Sequence, residues 1–411
     1  MDKKTKIAYI APEIPALSAT FVYNEIIKIE ECGFDVYPIS VHTPGNKAME
    51  APARELSGHT FYLYEKSFLL FATNMLIMLA THPLRFLKTL TYALKDATYN
   101  MNNRRISLGI MYRFIVASTV ANKIYTNNIK HIHAHFAHIP TDIAMYSSLL
   151  TGIPFSFTAH ANDIFENSWL LKNKVKRASF VIAISQFNKD YLINLGALAD
   201  KIRVIHCGVD PDAFQARNKK ALGKPLRLGS FGRMVEKKGF DVLIDACKLL
   251  KDTEEKPFIM EIAGDGPLKE ELRMRVYTLG LSNEIIFTGP IQHDKVSDWL
   301  KGLDVFVLTC KKDGSGDMDG IPVVLMEAML SGVPVISTEI SGIPELVEDC
   351  VTGSLIKPED PAGLVSALKR LTQDNDLGYK MCNNAIDKIK KDFDLSINSG
   401  RLAALFKEST R

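Results

Sequence analysis

The chain has 411 residues and a formal net charge of +3, with 46% hydrophobic and 24% charged residues. This length allows two domains with cores of their own, and the composition is that of an ordinary globular protein that requires no disordered tail. The six cysteines are scattered without C-x-x-C spacing, which argues against a zinc ribbon or a disulfide framework.

The N-terminal segment is short and basic. Met1–Lys6 lead directly into the apolar run Ile7–Ala11, which is too short to be the hydrophobic core of a secretory signal. The sequence therefore predicts a cytoplasmic protein.

Short apolar runs alternate with amphipathic segments along the whole chain. This alternation is typical of a parallel sheet covered by helices, so we expect an α/β fold. A first strand is predicted at Ile7–Ala11 and a helix at about 21–32, with Thr20 as its N-cap and Gly33 as its stop. The loop 14–20 between them then faces the ligand side of the sheet.

Residues 66–130 hold nine basic residues and one acidic residue, a net charge of +8 that leaves −5 on the rest of the chain. The run Phe68–Ala80 is apolar apart from Thr73 and Asn74, but its 13 residues fall short of the ~20 that a membrane-spanning helix needs. Basic charge beside aromatic and aliphatic residues fits peripheral binding to anionic lipid. A solvated helical face or a core segment fits the same pattern. No nucleic-acid-binding motif accompanies the charge, so nucleic acid is not an expected partner.

Four histidines follow in a segment with strand character, at positions 131, 133, 135 and 138. Alternate residues of a strand share a face, so three of them are able in principle to bind one metal ion such as zinc. No cysteine or aspartate nearby completes a ligand set. We therefore expect these histidines to shape a cleft, and we expect no metal.

A further strand is predicted at Phe155–Ala159, and His160 follows it directly. A histidine just past the end of a strand points into the cleft of an open sheet, where a neutral imidazole binds a ligand hydroxyl. The alternative is a loop histidine that caps a helix. Phe180–Ser185 and Arg203–Ile205 are predicted to complete this first sheet, and Arg217–Lys224 reads as a polar linker.

The second half opens with a strand from Leu226, a glycine turn at Gly232 and basic residues ahead of a helix at about 240–251. Glycines allow close approach of a ligand, and arginine forks onto phosphate oxygens, so this pattern predicts an anion site among Arg233, Lys237 and Lys238. Further strands are predicted at 259–263 and 285–288.

The segment Asp317–Gly332 predicts a helix at about 322–331, since Pro322 suits a first turn and Gly332 the position after a helix end. Glu327 is a lone carboxylate on this otherwise apolar helix, and a buried charge needs a partner. Side chains lean toward the helix N-terminus, so Glu327 faces the region of Asp319 and of the backbone amides that begin the helix.

The spacing places the carboxyl groups of Asp319 and Glu327 very roughly 10 Å apart. This suits an elongated ligand with hydroxyls at both ends and a diphosphate in the middle, such as a nucleotide-diphosphate sugar. The segment predicted to line its middle comprises Gly320, Ile321, Pro322 and Val323. The alternative is a core helix with a capping aspartate and a glutamate paired to lysine.

The stretch from Asp319 to Glu327 resembles the E-x7-E element of retaining glycosyltransferases of family 4, with aspartate in place of the usual first glutamate. Residues 332–338 and 341–345 also resemble that family, and the likeness extends through most of the second half and more thinly through the first. One departure is the loop 14–20, where many relatives carry a glycine-rich sequence.

The resemblance implies a GT-B fold, α/β, in which two Rossmann-like domains face each other across a cleft. We expect an acceptor-side domain at 1–206, a donor-nucleotide domain at 207–384, and a C-terminal helix at 385–411 that crosses back to the first domain. It also implies a UDP- or GDP-sugar donor, no metal and no other cofactor.

The family's active-site roles fall on residues already singled out. Arg233 and Lys238 would grip the donor diphosphate, Glu327 the ribose diol, Asp319 the transferred sugar, and His160 would line the sugar pocket. Similarity to enzymes of exopolysaccharide and capsule assembly suggests a lipid-linked saccharide acceptor. A nucleotide-sugar epimerase or hydrolase of the same fold, and a non-catalytic sugar-nucleotide-binding protein, remain as alternatives.

Overall fold

The computed structural model describes residues 4–16, 20–45, 51–99, 103–166, 169–218, 222–253 and 257–410. Its chain forms two compact units, one made of Met1–Ile184, Asn188–Ile205 and Leu395–Arg411, the other of Ser185–Phe187 and His206–Asp394. Parts of the predicted first loop (17–19) and of the predicted linker (219–221) lie outside the described residues.

The first unit contains a seven-stranded parallel sheet in the order β3-β2-β1-β4-β5-β6-β7. Its strands are β1 (Thr5–Glu13), β2 (Phe34–His42), β3 (Phe61–Tyr62), β4 (His131–His135), β5 (Phe155–Ala159), β6 (Phe180–Ala183) and β7 (Ile202–Val204). The predicted strands of this half are therefore present. Ile7–Ala11 is fully buried along its length, as expected for a parallel strand that helices cover on both faces.

The helices that accompany this sheet are α1 (Thr20–Glu31), α2 (Ala51–His59), α3 (Phe68–Thr81), α4 (Pro83–Tyr99), α5 (Arg104–Thr126), α6 (Ile139–Thr151), α7 (Asn162–Phe165), α8 (Leu171–Arg177) and α9 (Gln186–Asn194). Thr20, predicted as an N-cap, is the first residue of α1. Gly33 has a positive φ of 96° just after α1 ends, the left-handed conformation that suits a helix stop.

Helix α3 is apolar on every side, yet only Phe71, Asn74 and Met78 of it are buried. Leu69 and Leu76 are 75% and 60% exposed. The run that the sequence left open between core and surface is thus a helix that buries one narrow stripe. Among the described residues, no helix is long and apolar enough to cross a bilayer.

The second unit contains a six-stranded parallel sheet in the order β10-β9-β8-β11-β12-β13. Its strands are β8 (Leu226–Phe231), β9 (Phe258–Ala263), β10 (Ile285–Gly289), β11 (Val305–Leu308), β12 (Val335–Thr338) and β13 (Ser354–Ile356). Its helices are α10 (Phe240–Thr253), α11 (Lys269–Thr278), α12 (His293–Gly302), α13 (Val323–Leu330), α14 (Ile343–Leu346), α15 (Pro361–Gln373) and α16 (Asn375–Asp392).

The chain ends in α17 (Leu395–Ser409), which packs against α1 and belongs to the first unit. Residues 385–392 instead complete α16 in the second unit. Short 3₁₀ turns lie at Ala199–Lys201, Pro211–Ala213 and Glu236–Lys238. The last of these carries a predicted site residue, Lys238.

Candidate active site

Two loops that follow neighbouring strands meet at the point where the order of the second sheet reverses. β8 and β11 are adjacent, although β9 and β10 lie between them in sequence, and ligands of open α/β sheets bind at such a switch point. A Cβ on Gly239 (φ +66°) would lie 1.8 Å from the carbonyl oxygen of Thr309. The hydroxyl of Thr309 donates to the carbonyl oxygen of Gly239 at 2.7 Å. The two loops are therefore packed backbone to backbone.

Charged side chains of these loops form one cluster. Lys238 Nζ lies 2.5 Å from Asp319 Oδ2. Lys237 Nζ lies 2.7 Å from Asp317 Oδ2 and 3.4 Å from Asp319 Oδ1. The thiol of Cys310 donates to Asp319 Oδ2 at 3.5 Å. The structure thus joins two residues that the sequence predicted for different parts of the ligand, Lys238 and Asp319, in one ion pair.

The pairing keeps both partners charged. Burial acts to raise the pKa of Asp319, but Lys238 and Lys237 outweigh it and hold that pKa below its usual value. Burial acts to lower the pKa of Lys238, but Asp319 outweighs it and the pKa lies above its usual value. Burial and the nearby Asp319 raise the pKa of the Cys310 thiol, which stays protonated. The switch point therefore presents a fixed ammonium and a fixed carboxylate.

Arg233 lies in the same loop, between β8 and the turn that carries Lys238. The next residue, Met234, is buried, and the backbone of Met234 makes hydrogen bonds with the backbone of Asp265 and Leu268. The Arg233 side chain is exposed and makes no hydrogen bond or ion pair with any residue of the described ranges. An anchored backbone with an uncommitted guanidinium is suited to a phosphate group that arrives from solvent.

Helix α13 begins at Val323, one residue later than predicted, after Pro322. No side chain caps its first turn, so an anion at this helix start would face the backbone N–H groups of Gly320, Ile321 and Val323, while Pro322 has none to donate. Glu327 is buried in the middle of the helix, with 7% of its surface exposed. The chain leaves the helix at Gly332, whose φ of +70° is the predicted left-handed stop.

In the first unit, His160 follows β5 directly, as predicted, and is held on several sides. The backbone N–H of His160 donates to the Asp163 carboxylate at 3.1 Å, and the side chain of Asn188 donates to the carbonyl oxygen of His160. Its ring lies 4.4 Å from that of Phe136 and 4.9 Å from that of Phe21. Burial and neighbouring imidazoles lower the pKa of His160 well below its usual value, so the ring is neutral.

The strand histidines share one face, but hydrogen bonds occupy them. Both ring nitrogens of His133 contact hydroxyls, those of Ser156 at 2.8 Å and Thr158 at 3.1 Å. His131 contacts Ser156 at 2.7 Å and Ser409 of α17 at 3.0 Å. Burial lowers the pKa of His131 to about 3. These hydrogen bonds occupy the ring nitrogens with which His131 and His133 would bind a metal ion.

Among the described residues, the set whose ligand atoms come within 4.8 Å of one another is Glu25, His133 and His135, without His131. Glu25 comes from α1, and its Oε1 lies 3.1 Å from His135 Nε2. An ion bound there would have to displace the hydrogen bonds of His133. The donor set is one that zinc accepts, but the hydrogen-bonding groups already satisfy one another.

Sequence reasoning missed Asp317, Cys310 and Glu25, and it gave Lys237 no role of its own. Asp317 and Cys310 stand within the loop after β11, and their position at a strand end was the available signal. Glu25 is one polar residue on an amphipathic helix and lies 110 residues from His135 in sequence. Glu25 reaches His135 because α1 follows β1, and β1 is paired with β4, the strand that ends at His135.

Comparison with known proteins decides the family. Residues 212–392 match the family model of glycosyl transferases group 1, and residues 97–213 match that of glycosyltransferase family 4. WcaL of Salmonella typhimurium, a glycosyltransferase assigned to colanic acid biosynthesis, is 30% identical over 415 residues, which cover 97% of this chain and 99% of WcaL. The chain belongs to glycosyltransferase family 4.

Other relatives agree with this membership. The amylovoran biosynthesis glycosyltransferase AmsK of Erwinia amylovora is 29% identical over 409 residues, 97% of this chain and 98% of AmsK. Among solved structures, Anabaena HepE in complex with UDP superimposes with a TM-score of 0.72 at 19% identity, over 98% of this chain and 100% of HepE. Sucrose-phosphate synthase of Thermosynechococcus elongatus also gives 0.72, at 16% identity, over 98% and 99% of the two chains.

The predicted family is therefore confirmed, and so is the GT-B fold with two Rossmann-like domains. The protein is a glycosyltransferase.

Proposed function

We propose that this glycosyltransferase moves a sugar from a nucleotide-diphosphate donor with retention of anomeric configuration and without a metal ion. The observation that carries the proposal is the cluster of charged side chains at the switch point of the second sheet. There Lys238 is paired with Asp319 at 2.5 Å, and Arg233 stands exposed in the same loop.

Each part of the cluster suits one part of the donor. A diphosphate that leaves with negative charge is stabilised by Arg233, by Lys238 and by the amides that start α13. Asp319, held in place by its lysine, accepts hydrogen bonds from hydroxyls of the transferred sugar. Glu327 accepts from the ribose diol. The two cations thus perform the task that a divalent metal performs in other enzymes.

His160 supplies the sugar-facing group of the first unit in this proposal. A neutral imidazole in a wall of aromatic rings binds a hydroxyl without adding charge to the pocket. The rigid support of its backbone by Asp163 and Asn188 fits a residue that must orient a reacting hydroxyl rather than move with it.

The names of relatives suggest the pathway and the donor. AmsK acts in amylovoran biosynthesis, and WcaL is assigned to colanic acid biosynthesis, so we place this chain in exopolysaccharide assembly with a lipid-linked saccharide as acceptor. The structure of HepE contains UDP, which favours a UDP-sugar as the first donor to test, with a GDP-sugar second.

An enzyme that acts on a lipid-linked acceptor must reach a membrane surface. Helices α3 and α4 carry side chains suited to that contact. Leu69, Leu76, Leu84 and Leu87 are each at least half exposed, on two helices that contact each other, and exposed large apolar side chains grouped in this way suit an interaction site. Exposed basic residues lie on α4 and at the start of α5, at Lys88, Lys95, Arg104 and Arg105. Apolar residues beside uncompensated basic charge fit an anionic lipid surface.

The donor is tested by thermal stabilisation with a panel of UDP-, GDP- and ADP-sugars, because a ligand that binds the folded state raises stability by mass action. We expect one nucleotide series to stabilise the protein, and the Arg233→Ala variant to lose that effect. Lys251→Ala, which breaks a remote ion pair with Glu284 in the same unit, is the matched control.

Incubation of the identified donor with and without lipid-linked acceptor then tests transfer. A glycosylated acceptor whose new linkage keeps the anomeric configuration of the donor supports the proposal. Release of free sugar or of an epimer, with or without acceptor, would instead show a hydrolase or an epimerase. An inverted linkage would contradict retention.

The membrane contact is tested by sedimentation with vesicles. The protein should pellet with phosphatidylglycerol vesicles at low salt and be released as salt rises, because exposed charges are screened within ~10 Å at 0.1 M. Leu69→Glu with Leu84→Glu should abolish pelleting. Met274→Glu, at a residue of the second unit that is 61% exposed, should not. Equal binding to neutral vesicles would contradict the electrostatic part.

A further inference from the structure

Two tyrosines of the first unit lie side by side at the carboxyl edge of its sheet. Tyr64 follows β3 and is held beside the end of β2, because its backbone N–H donates to the carbonyl oxygen of Val41 at 3.0 Å. Tyr112 comes from α5, and its ring centroid lies 5.7 Å from that of Tyr64. Ligands of open α/β sheets bind outside the carboxyl ends of the strands, so the pair stands where a ligand is expected.

The protein itself does not use either phenol group. The hydroxyls of Tyr64 and Tyr112 make no hydrogen bond with any residue in the ranges that the structure describes. By contrast, the phenol of Tyr146 in the same unit donates to Asp96 at 2.9 Å. Burial raises the pKa of Tyr64 to about 12, so this phenol keeps its proton. A half-buried donor without a partner loses free energy that a ligand oxygen would restore.

The two rings are packed but not stacked. His42, the last residue of β2, meets the ring of Tyr64 at 5.1 Å and 89°, and Phe71 of α3 meets the ring of Tyr112 at 6.3 Å and 84°. None of the described rings lies parallel on either tyrosine, and Tyr112 is 37% exposed. An apolar ring with a polar tip suits a sugar, which is apolar on its C–H face and polar at its hydroxyls.

The charged groups beside the pair are turned toward each other. Arg113 and Asp142 act electrostatically on the Tyr64 phenol. Arg113 Nη1 lies 2.8 Å from Asp142 Oδ2, and the fully buried Lys174 lies 2.8 Å from the other carboxylate oxygen. The Arg113 side chain is only 12% exposed, unlike the exposed Arg233 of the second unit. This surface therefore suits a neutral, hydroxyl-bearing ligand better than a phosphate.

The pair also lies between two regions that the proposed function already uses. On one side, Phe71 belongs to α3, the helix with the exposed apolar face. On the other side, His42 acts electrostatically on His138, and the rings of His138, Phe136 and His160 follow one another at 5.5 and 4.4 Å. A ligand on the tyrosines would lie between the proposed membrane contact and the residue proposed to face the transferred sugar.

We propose that Tyr64 and Tyr112 form a subsite for a sugar residue of the acceptor, with their rings packed against the sugar and their phenol groups hydrogen-bonded to its hydroxyls. The inference rests on the proposed function for the role of this saccharide as acceptor, but binding at the tyrosines needs neither a donor nor transfer. The subsite holds the acceptor between its lipid end and its reacting end, and it selects which saccharide is accepted.

The test is a titration of the full chain, ¹³C-labelled in its tyrosine rings, with the methyl glycosides of glucose, galactose, mannose and N-acetylglucosamine. Tyr64→Phe and Tyr112→Phe identify the two signals among the 13 tyrosines. We expect at least one glycoside to shift both signals. Tyr125 is the internal control, because it is 38% exposed on the same helix but ~20 Å from Tyr112; its signal should not move.

A parallel titration with inorganic phosphate separates a sugar site from an anion site. Shifts of Tyr64 and Tyr112 with phosphate but with none of the glycosides would overturn the proposal. Signals that respond to no glycoside, or no more than the signal of Tyr125 does, would overturn it as well. No donor is present, so these results hold even if the protein transfers no sugar, and failure of the proposed function is distinguishable from failure of this inference.

Kinetics with the acceptor found in the transfer assay measure the contribution of one phenol group. Tyr64→Phe should raise the acceptor KM about 3- to 10-fold, the effect of one neutral hydrogen bond, and leave the donor KM within about twofold. Tyr125→Phe removes a phenol that donates to the carbonyl oxygen of Thr151 at 3.3 Å and should leave the acceptor KM unchanged. An equal rise in both variants would overturn the role of Tyr64.

Discussion

The two units both place their candidate site residues at the carboxyl ends of parallel strands, but with opposite chemistry. In the first unit, burial keeps the His160 imidazole neutral by lowering its pKa, and His135 and Phe136 pack against its ring. In the second, Lys238 and Asp319 are opposite charges in contact. Neutral groups suit hydroxyls, and fixed charges suit a phosphate that leaves as an anion. The Rossmann-like frame fixes where a site lies, and the loops fix what it binds.

The largest effect is expected from removing a cation of the second unit. Arg233→Ala and Lys238→Ala should each lower kcat by about 10²-fold or more, as loss of one preorganised contact to developing charge does. Lys237→Ala should cost less, because Lys237 pairs mainly with Asp317. Steady-state kinetics on variants with verified folding measure this, and a change confined to the acceptor KM would contradict the assignment.

A second pair of variants separates the two carboxylates of the second unit. Glu327→Gln should weaken binding of the nucleoside diphosphate as well as of the full donor, since each lost charge-assisted bond is worth ~1.5–3 kcal/mol. Asp319→Asn should leave nucleoside diphosphate affinity nearly intact but lower turnover. Calorimetry with both ligands decides, and equal weakening of the bare diphosphate would show that the carboxylates do not divide the donor.

Asp319→Glu sharpens the same point. It restores the residue usual in the family but adds a methylene to a carboxylate that already touches Lys238 at 2.5 Å. We expect reduced or altered donor use rather than a gain, and the donor panel measures it. Increased turnover with the native donor would show that the loop accommodates the longer acid.

Acid should destabilise the first unit at a higher pH than the second. Burial lowers the pKa of His131 to about 3 and that of His138 to about 4, and burial with neighbouring imidazoles lowers that of His160 further from its usual value. The unfolded chain binds more protons than the native unit below ~6.5, so the stability of the first unit should fall progressively from that pH downward. The depressed pKa of Asp319 costs the second unit stability only below ~4.

Hydrogen exchange read by mass spectrometry at pH 7.5 and 5, corrected for intrinsic rates, compares the units within one molecule. Peptides of β4 and β5 should lose protection at pH 5, while those of β8 and α13 keep it. Equal loss in both units would show that the buried histidines do not set the acid response.

The sequence predicted strands of both sheets and placed His160, Arg233 and Lys238 after strand ends, because strand ends and glycine turns leave local signals. It did not predict that Lys238 and Asp319 touch, since their contact depends on β8 and β11 being neighbours. Glu25 left no signal, because a polar residue on an amphipathic helix is ordinary. For α3, both of its faces are apolar, so periodicity gave no answer until the structure showed that it buries one stripe.

The smallest effect is expected from a chelator, which tests whether either unit needs a metal ion. In the second unit Lys238 and Lys237 already neutralise Asp317 and Asp319, so these acids are poor ligands for a divalent ion. In the first unit a metal at Glu25 and His135 would have to displace the hydrogen bonds between them.

We therefore expect activity to persist in excess EDTA, with a change smaller than about twofold. Loss of activity rescued by Mg²⁺ or Mn²⁺ would mean that the lysines do not replace a metal at the diphosphate. Loss rescued by Zn²⁺, together with loss of activity in Glu25→Ala, would instead place an ion at the strand histidines and would replace the neutral imidazoles of the first unit with a metal centre.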